Sequence, residues 1–433
     1  MKGRVRLATR YQNRSEKTHG ELGHKVSTAE VGEALEELVR RGAQEMLRRA
    51  LEEEVDAFLG RGRHERSSRF RGYRNGHAPE RSVGSGLGTV VVKAPRVRDV
   101  PPEVAPEGYH SAILPRYQRR TQAQCRLFAQ LYLEGLSSGD FEPVFRALLG
   151  EDAPLSASAI LRLKDTWKAE YEAWKRRALD GHSYAYLWFD GIYLGCGQER
   201  EKTVLLAVLG AREDGTKELL ALEEGYREST ASWQAVLRSL RDRGMTPALL
   251  AVGDGALGAW AALADVFPST RHQRCWNHRV LNVQDRLPKR LQAEARAELR
   301  SLWEAPTRAE CEARRDGYVA RLQVQGQETA AATLLRDWDD FVAFYDFPQE
   351  HWLHLRTTNA IESVFAGVRL RTDVAKRMGK RENALYLVFK IVERLGQNWR
   401  ALNGGRTLMT LVLEGRRFID GVLEGADVKA EAA

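Results

Sequence analysis

The sequence predicts an α/β protein in which mainly helical regions lead into a strand-rich core. Three observations carry that reading. Apolar residues recur at helical spacing from Ser27 to Leu59, short aromatic and branched runs cluster from Tyr184 onward, and a long polar helical stretch follows from about residue 280. The composition is globular, with 433 residues of which 43% are hydrophobic and 29% charged, leaving room for about three domains. No apolar run approaches the roughly 18 residues of a membrane helix, and no signal segment opens the chain, so a cytoplasmic protein with no membrane partner is expected. Cys125, Cys196, Cys275 and Cys311 form no Cys-x-x-Cys pair, which argues against a disulfide framework or a multi-cysteine zinc module.

In chain order, residues 1–26 read as a basic flexible N-terminus. A helical and basic module over 27–100 follows. Its helix carries Leu35, Leu38, Val39, Met46, Leu47, Leu51, Val55, Phe58 and Leu59 at helical spacing, with Ser27 and Glu30 as a capping box. Beyond it lie Arg61, Arg63, Arg66, Arg69, Arg71, Arg74, Arg81, Lys93, Arg96 and Arg98 against only Glu65 and Glu80. That surplus equals the +8 net charge of the whole chain. It suits a polyanion such as nucleic acid or, equally, a solvated charged face. Glycines 84, 86 and 88 and the run Thr89 to Val92 predict one short strand there. Residues 101–182 read as a linker marked by Pro101, Pro102, Pro106 and Pro115, then helices. Two of these, Phe141 to Leu149 and Ser156 to Trp167, could form a helix-turn-helix presenting Ser156, Ser158, Arg162 and Lys164 to a DNA groove, although paired short helices are more often plain packing.

The core is expected over 183–402. Strands at Tyr184 to Phe189, Thr203 to Leu209 and Glu218 to Leu222 predict an antiparallel meander. A helix from Thr230 with Trp233, Val236, Leu237 and Leu240 on one face leads to a strand over Ala248 to Val252. Three strands, a helix and a strand open a ribonuclease-H-like α/β core, with a helical insertion at about 280–350 and a C-terminal helix and tail over 403–433.

Three acids stand where such a core collects chemistry. Asp190 ends the first strand and Asp254 follows the fourth, so neighbouring strands would make their carboxylates converge, and hard oxygen donors past strand ends suit Mg²⁺. Each also sits in an Asp-Gly pair, a common turn. Glu362 opens a helix three residues after Asn359, which fits a capping box as well as a metal ligand. Arg369, Arg371, Lys376 and Arg377 continue that segment with charge suited to a DNA backbone. Cys275-x-x-His278 has zinc-ligand spacing, but a structural zinc takes four ligands and no second pair accompanies these two, so a brace for the metal site or a DNA contact is the expectation.

Together Phe189-Asp190-Gly191, Asp254-Gly255-Ala256-Leu257-Gly258, Arg274-Cys275-Trp276-Asn277-His278 and Thr357-Thr358-Asn359-Ala360-Ile361-Glu362-Ser363 resemble the Mutator-type transposases of bacterial insertion sequences. Tyr73-Arg74-Asn75-Gly76, Pro95-Arg96-Val97-Arg98, Tyr132 to Ser137 and Phe347-Pro348 extend the resemblance over roughly residues 30 to 400. It implies that Asp190, Asp254 and Glu362 form an acidic triad and hold two Mg²⁺ ions, with Mn²⁺ able to substitute. It further implies that Cys275 and His278 support the active site, and that a bacterial, nucleoid-associated enzyme cuts at terminal inverted repeats and joins the ends to target DNA. Double-stranded DNA and a second copy of the chain, as a homodimer or larger assembly, are the implied partners. A nuclease that only hydrolyses DNA, and a non-catalytic DNA-binding relic, are the competing readings.

Overall fold

The computed structural model describes residues 28–85, 88–133, 143–144, 146, 157–195, 202–225, 227–255, 257–372 and 381–425. The chain divides into two compact units, 1–125 with 143–154 and 126–142 with 155–433.

In the first unit the helix Thr28–Leu59 buries Leu51, Val55 and Leu59. Its expected cap Ser27 lies outside the described residues. Leu51 joins Val83, Val90, Val92 and Leu114 in a small core. Residues 73–98 hold four strands rather than one. β1 (Tyr73–His77) pairs with β4 (Pro95–Arg98), and β2 (Arg81–Ser85) pairs with β3 (Gly88–Val92), both antiparallel. The region is therefore less helical than expected, because β1 and β4 are polar and largely exposed and so lack the apolar run that marks a strand. The proline-rich stretch is tied to this unit, since Tyr109 and Ser111 hydroxyls donate to Glu54 and Arg81 donates to the Leu114 carbonyl. The long helix leaves Leu35, Leu38, Val39 and Met46 exposed.

The second unit is built on a five-stranded mixed sheet in the order β7-β6-β5-β8-β9. β5 (Tyr184–Gly195), β6 (Lys202–Arg212) and β7 (Lys217–Gly225) form the expected antiparallel meander. β8 (Leu250–Gly253) and β9 (Arg271–Arg274) add parallel to it. Being covered on both faces, β5 reads as a continuous apolar run. Leu187 and Phe189 pack with Trp233, Val236, Leu237, Leu240, Trp260 and Leu263 on one side, from the helices Thr230–Asp242 and Leu257–Val266. Tyr186, Trp188 and Ile192 pack with Trp276, Val364, Phe365 and Phe389 on the other. Ser229 caps the first of those helices by accepting from the Ser232 amide.

Three expectations change. β5 runs six residues past Phe189, so Asp190 lies inside the strand and not at its end. β9 is an unforeseen strand, because Arg-His-Gln-Arg at a sheet edge needs no apolar run. Its buried Gln273 is satisfied by donating to the Phe341 carbonyl and accepting from the Phe344 amide. The second helix of the expected pair is longer than foreseen, running over 19 residues, Ala157–Lys175, with Trp167 and Tyr171 buried and the Tyr171 hydroxyl bonded to the Leu222 carbonyl. Most of its partner segment and Ser156 lie outside the described residues.

The insertion is helical as expected, through Trp276–Gln284, Lys289–Trp303, Arg308–Val324 and Glu328–Leu335. After it come the helices Asn359–Thr372, Arg381–Gly396 and Gly405–Leu413 and a hairpin of β10 (Phe418–Ile419) and β11 (Val422–Leu423). Met409, Val412 and Phe418 join the same buried cluster as Trp188, so the segment after residue 402 is part of the core and not only a helix and tail. Among the described residues no helix is long and apolar enough to cross a membrane.

Candidate active site

The parallel register of β5 and β8 pairs Tyr186 with Leu250, Leu187 with Ala251 and Trp188 with Val252. Continued by two residues, it sets Asp190 beside Asp254. Asp190 lies half-buried, and its carboxyl accepts the Gly191 amide. The Asp254 backbone is fixed by Trp260, whose indole N–H donates to the Asp254 carbonyl at 2.8 Å. Glu362 arrives from the first turn of Asn359–Thr372, whose buried Val364, Phe365 and Val368 lie in the Trp188 core. Burial first, and then the charges of Asp254, Glu228 and Glu362, push the Asp190 carboxyl up to about 7.

Glu362 is not part of the expected capping box. The helix is capped one residue earlier, with the Thr358 carbonyl accepting the Ile361 and Glu362 amides and the Thr358 hydroxyl donating to the Glu362 carboxylate. Asn359 instead accepts from the Asn277 side chain at 3.0 Å. Glu362 is thus held facing Cys275 and His278, and one potential ligand atom from each of the three lies within 4.8 Å of the others. His278 Nδ1 is 3.9 Å from Glu362 Oε1. The neighbouring Cys275 first, and then the charges of Asp254 and Glu362, raise the imidazole to about 9 against the opposing effect of burial.

Cys275 joins the two halves of this arrangement. Its amide donates to the Gly253 carbonyl at the end of β8, and its sulfur accepts from the Thr358 amide at 3.3 Å and lies 3.2 Å from the Thr358 hydroxyl oxygen, whose single proton goes to Glu362. The adjacent Trp276 amide donates to the Arg356 carbonyl. Two further links run from β5 to the segment before Glu362: the Tyr186 hydroxyl bonds His351 Nδ1 at 2.8 Å, and the Trp188 indole donates to the His354 carbonyl at 2.9 Å.

Residues 15–401 match the family model described as transposase, Mutator family. The chain belongs to this family. It is 44% identical over 293 residues to the transposase for insertion sequence element IS6120 of Mycolicibacterium smegmatis, covering 68% of this chain and 90% of that protein. Against the transposase for insertion sequence element IST2 of Acidithiobacillus ferrooxidans the identity is 41% over 284 residues, 64% of this chain and 93% of the relative. The transposase for insertion sequence element ISRM5 of Rhizobium meliloti is 29% identical over 382 residues, 86% and 90% of the two chains.

The basic residues of this Mutator-family transposase are in different states. Arg63, Arg66, Arg69 and Arg96 are exposed and form no ion pair among the described residues. Arg74 pairs with Glu52 and Asp56, Arg61 donates to the Gly72 carbonyl, Arg71 to the Phe58 carbonyl, and Arg98 lies 3.6 Å from Asp99. Lys164 is half-buried with its ammonium 6.0 Å from the Tyr132 ring centre. The Arg162 side chain, Lys376 and Arg377 lie outside the described residues. Arg369 is exposed, and Arg371 donates to the Gly367 carbonyl. Sequence reasoning missed the Thr358 hydroxyl bonded to Glu362, and Glu228, whose charge acts on Asp190. A single glutamate in a polar turn carries no signal. The glycines around it become informative only once the fold is known.

Proposed function

We propose that this transposase binds the terminal inverted repeats of an insertion sequence and target DNA, and catalyses metal-dependent strand cleavage and strand transfer through Asp190, Asp254 and Glu362. The observation that supports the reading is the Asp190 carboxyl at the junction of two parallel strands, pushed up to about 7 by burial and then by the charges of Asp254, Glu228 and Glu362. The strand order, with an acid on the first and after the fourth strand, supports a ribonuclease-H-like core. The donor set fits Mg²⁺ or Mn²⁺, because three carboxylates offer the hard oxygens such ions take.

Two such ions, when bound, supply activation of water or a 3′ hydroxyl and stabilisation of the leaving oxygen. The protein's part is positional. The sheet fixes the two aspartates, the Thr358 hydroxyl aims Glu362, and Cys275 with His278 braces the contact between them without needing zinc. Arg63, Arg66, Arg69 and Arg96 offer free guanidinium groups for phosphate. Coordinated joining of two ends calls for a homodimer or larger assembly on DNA.

Asp190→Asn, Asp254→Asn and Glu362→Gln each keep size and remove charge. Each variant is expected to fold and bind terminal-repeat DNA while losing Mg²⁺-dependent cleavage and joining by orders of magnitude in an oligonucleotide assay. An active Glu362→Gln variant would overturn the assignment. Wild-type protein that cleaves without joining would favour a nuclease, and wild-type protein inert with either metal would favour a relic.

A further inference from the structure

Along β5 the side chains alternate. Asp190 shares a face with Trp188 and Ile192, so Gly191 and Tyr193 point to the opposite one. On that opposite face stands Glu228, in the turn between β7 and the helix Thr230–Asp242. A Cβ at Gly191 would come within 2.5 Å of Glu228 Oε1, so the carboxylate fills the space a side chain at 191 would need, directly beside Asp190. A second glycine clamps the backbone of the same residue. A Cβ at Gly258, in the helix that follows Asp254, would meet the Glu228 carbonyl oxygen at 2.5 Å. The Tyr193 hydroxyl donates to the Glu228 carboxylate, and no lysine or arginine pairs with it among the described residues.

We propose that Glu228 is a fourth carboxylate of the divalent-cation site, reaching the cations from the face of the sheet opposite Glu362. The inference rests on the assignment of Asp190, Asp254 and Glu362 as metal-holding acids. A half-buried carboxylate under the charge of Asp254, with a phenol as its hydrogen-bond partner and the His278 imidazole as the opposing charge, is stabilised when a divalent cation completes it. Burial and the charge of Asp254 raise the Glu228 carboxyl accordingly. Asp190 and Asp254 then lie between one glutamate on each face, and both glutamates are positioned by a neighbouring hydroxyl, Tyr193 or Thr358.

Mn²⁺ binding to the full-length protein without DNA provides the test, read by electron paramagnetic resonance and by the Mn²⁺-induced rise in melting temperature. Glu228→Gln retains the acceptor for Tyr193 and removes the charge, whereas Glu228→Asp retains the charge and shortens the reach. Glu228→Gln is expected to need at least tenfold more Mn²⁺ for half-saturation, with Glu228→Asp intermediate. A purely structural glutamate would reverse that order, leaving Gln equal to wild type and Asp impaired, and this result would overturn the proposal. Asp190→Asn in the same titration separates the two readings. If it weakens binding while Glu228→Gln does not, the triad stands without Glu228. If wild type and Asp190→Asn bind Mn²⁺ equally, both assignments fail.

Discussion

Asp190 carries the largest electrostatic strain among the candidate metal-holding acids, and that strain is measurable without substrate. Its carboxyl is ordinary at 3.8 in an unfolded chain and is pushed to about 7 in the folded one, by burial first and then by its acidic neighbours. Between those values the folded chain holds a proton that the unfolded chain has released. Stability therefore falls as pH rises through that window, and the penalty is complete above about 7. In metal-free buffer the melting temperature of wild type is expected to drop from pH 4.5 to 7.5 more steeply than that of Asp190→Asn, and Mg²⁺ at pH 7.5 should recover part of the loss. Equal slopes would show that Asp190 is not the group under strain. The identity of this residue was legible because a buried strand ended, by its pattern, in an acid and a glycine. Its true position inside β5 was not, because Ile192 and Leu194 continue the strand beyond a two-residue break in hydrophobicity. Glu228 was invisible for a different reason: its neighbours in space, Gly191, Tyr193 and Gly258, are scattered through the sequence.

At the scale of elements, the site depends on fastening the helix of Glu362 to the strand that precedes Asp254. Cys275 does this with a sulfur that accepts the Thr358 amide and touches the Thr358 hydroxyl oxygen. Cys275→Ala removes that acceptor and leaves a buried amide unpaired, a loss of about 1–3 kcal/mol. The variant is expected to melt lower and to cleave at least tenfold more slowly, while Cys275→Ser, which restores an acceptor, recovers much of both. Elemental analysis of the wild-type protein should find no stoichiometric zinc; one zinc per chain, lost in Cys275→Ser, would instead make Cys275, His278 and Glu362 a metal centre. Elements with strong periodicity were readable from the sequence, as the buried face Trp233, Val236, Leu237 and Leu240 illustrates. Polar edge strands such as β1, β4 and β9 were not, since main-chain pairing stabilises them without an apolar run, the side chains of β1 and β4 lying mostly in water and Gln273 of β9 being buried through hydrogen bonds.

Across the whole molecule, the +8 charge is a poor guide to which arginines are available for phosphate. Replacing Arg63, Arg66, Arg69 and Arg96 together by alanine is expected to weaken DNA binding and flatten the slope of log affinity against log salt by about 0.9 for each phosphate no longer neutralised. Arg74→Ala should act mainly on stability, because Glu52 and Asp56 are then deprived of their shared partner; denaturant melts and salt titrations distinguish the two effects. The core that holds the acids is equally unevenly distributed along the chain. Ile361, Val364, Phe365, Phe389, Met409 and Val412 all lie in the cluster that covers the Trp188 face of the sheet. A ribosome that has not yet released this last stretch therefore carries a chain lacking both the third acid and much of the packing that keeps the first two in place. Frameshifts or early stops anywhere before about residue 412 should yield insoluble or degraded product and no half-active enzyme, so that an element with a damaged reading frame falls silent.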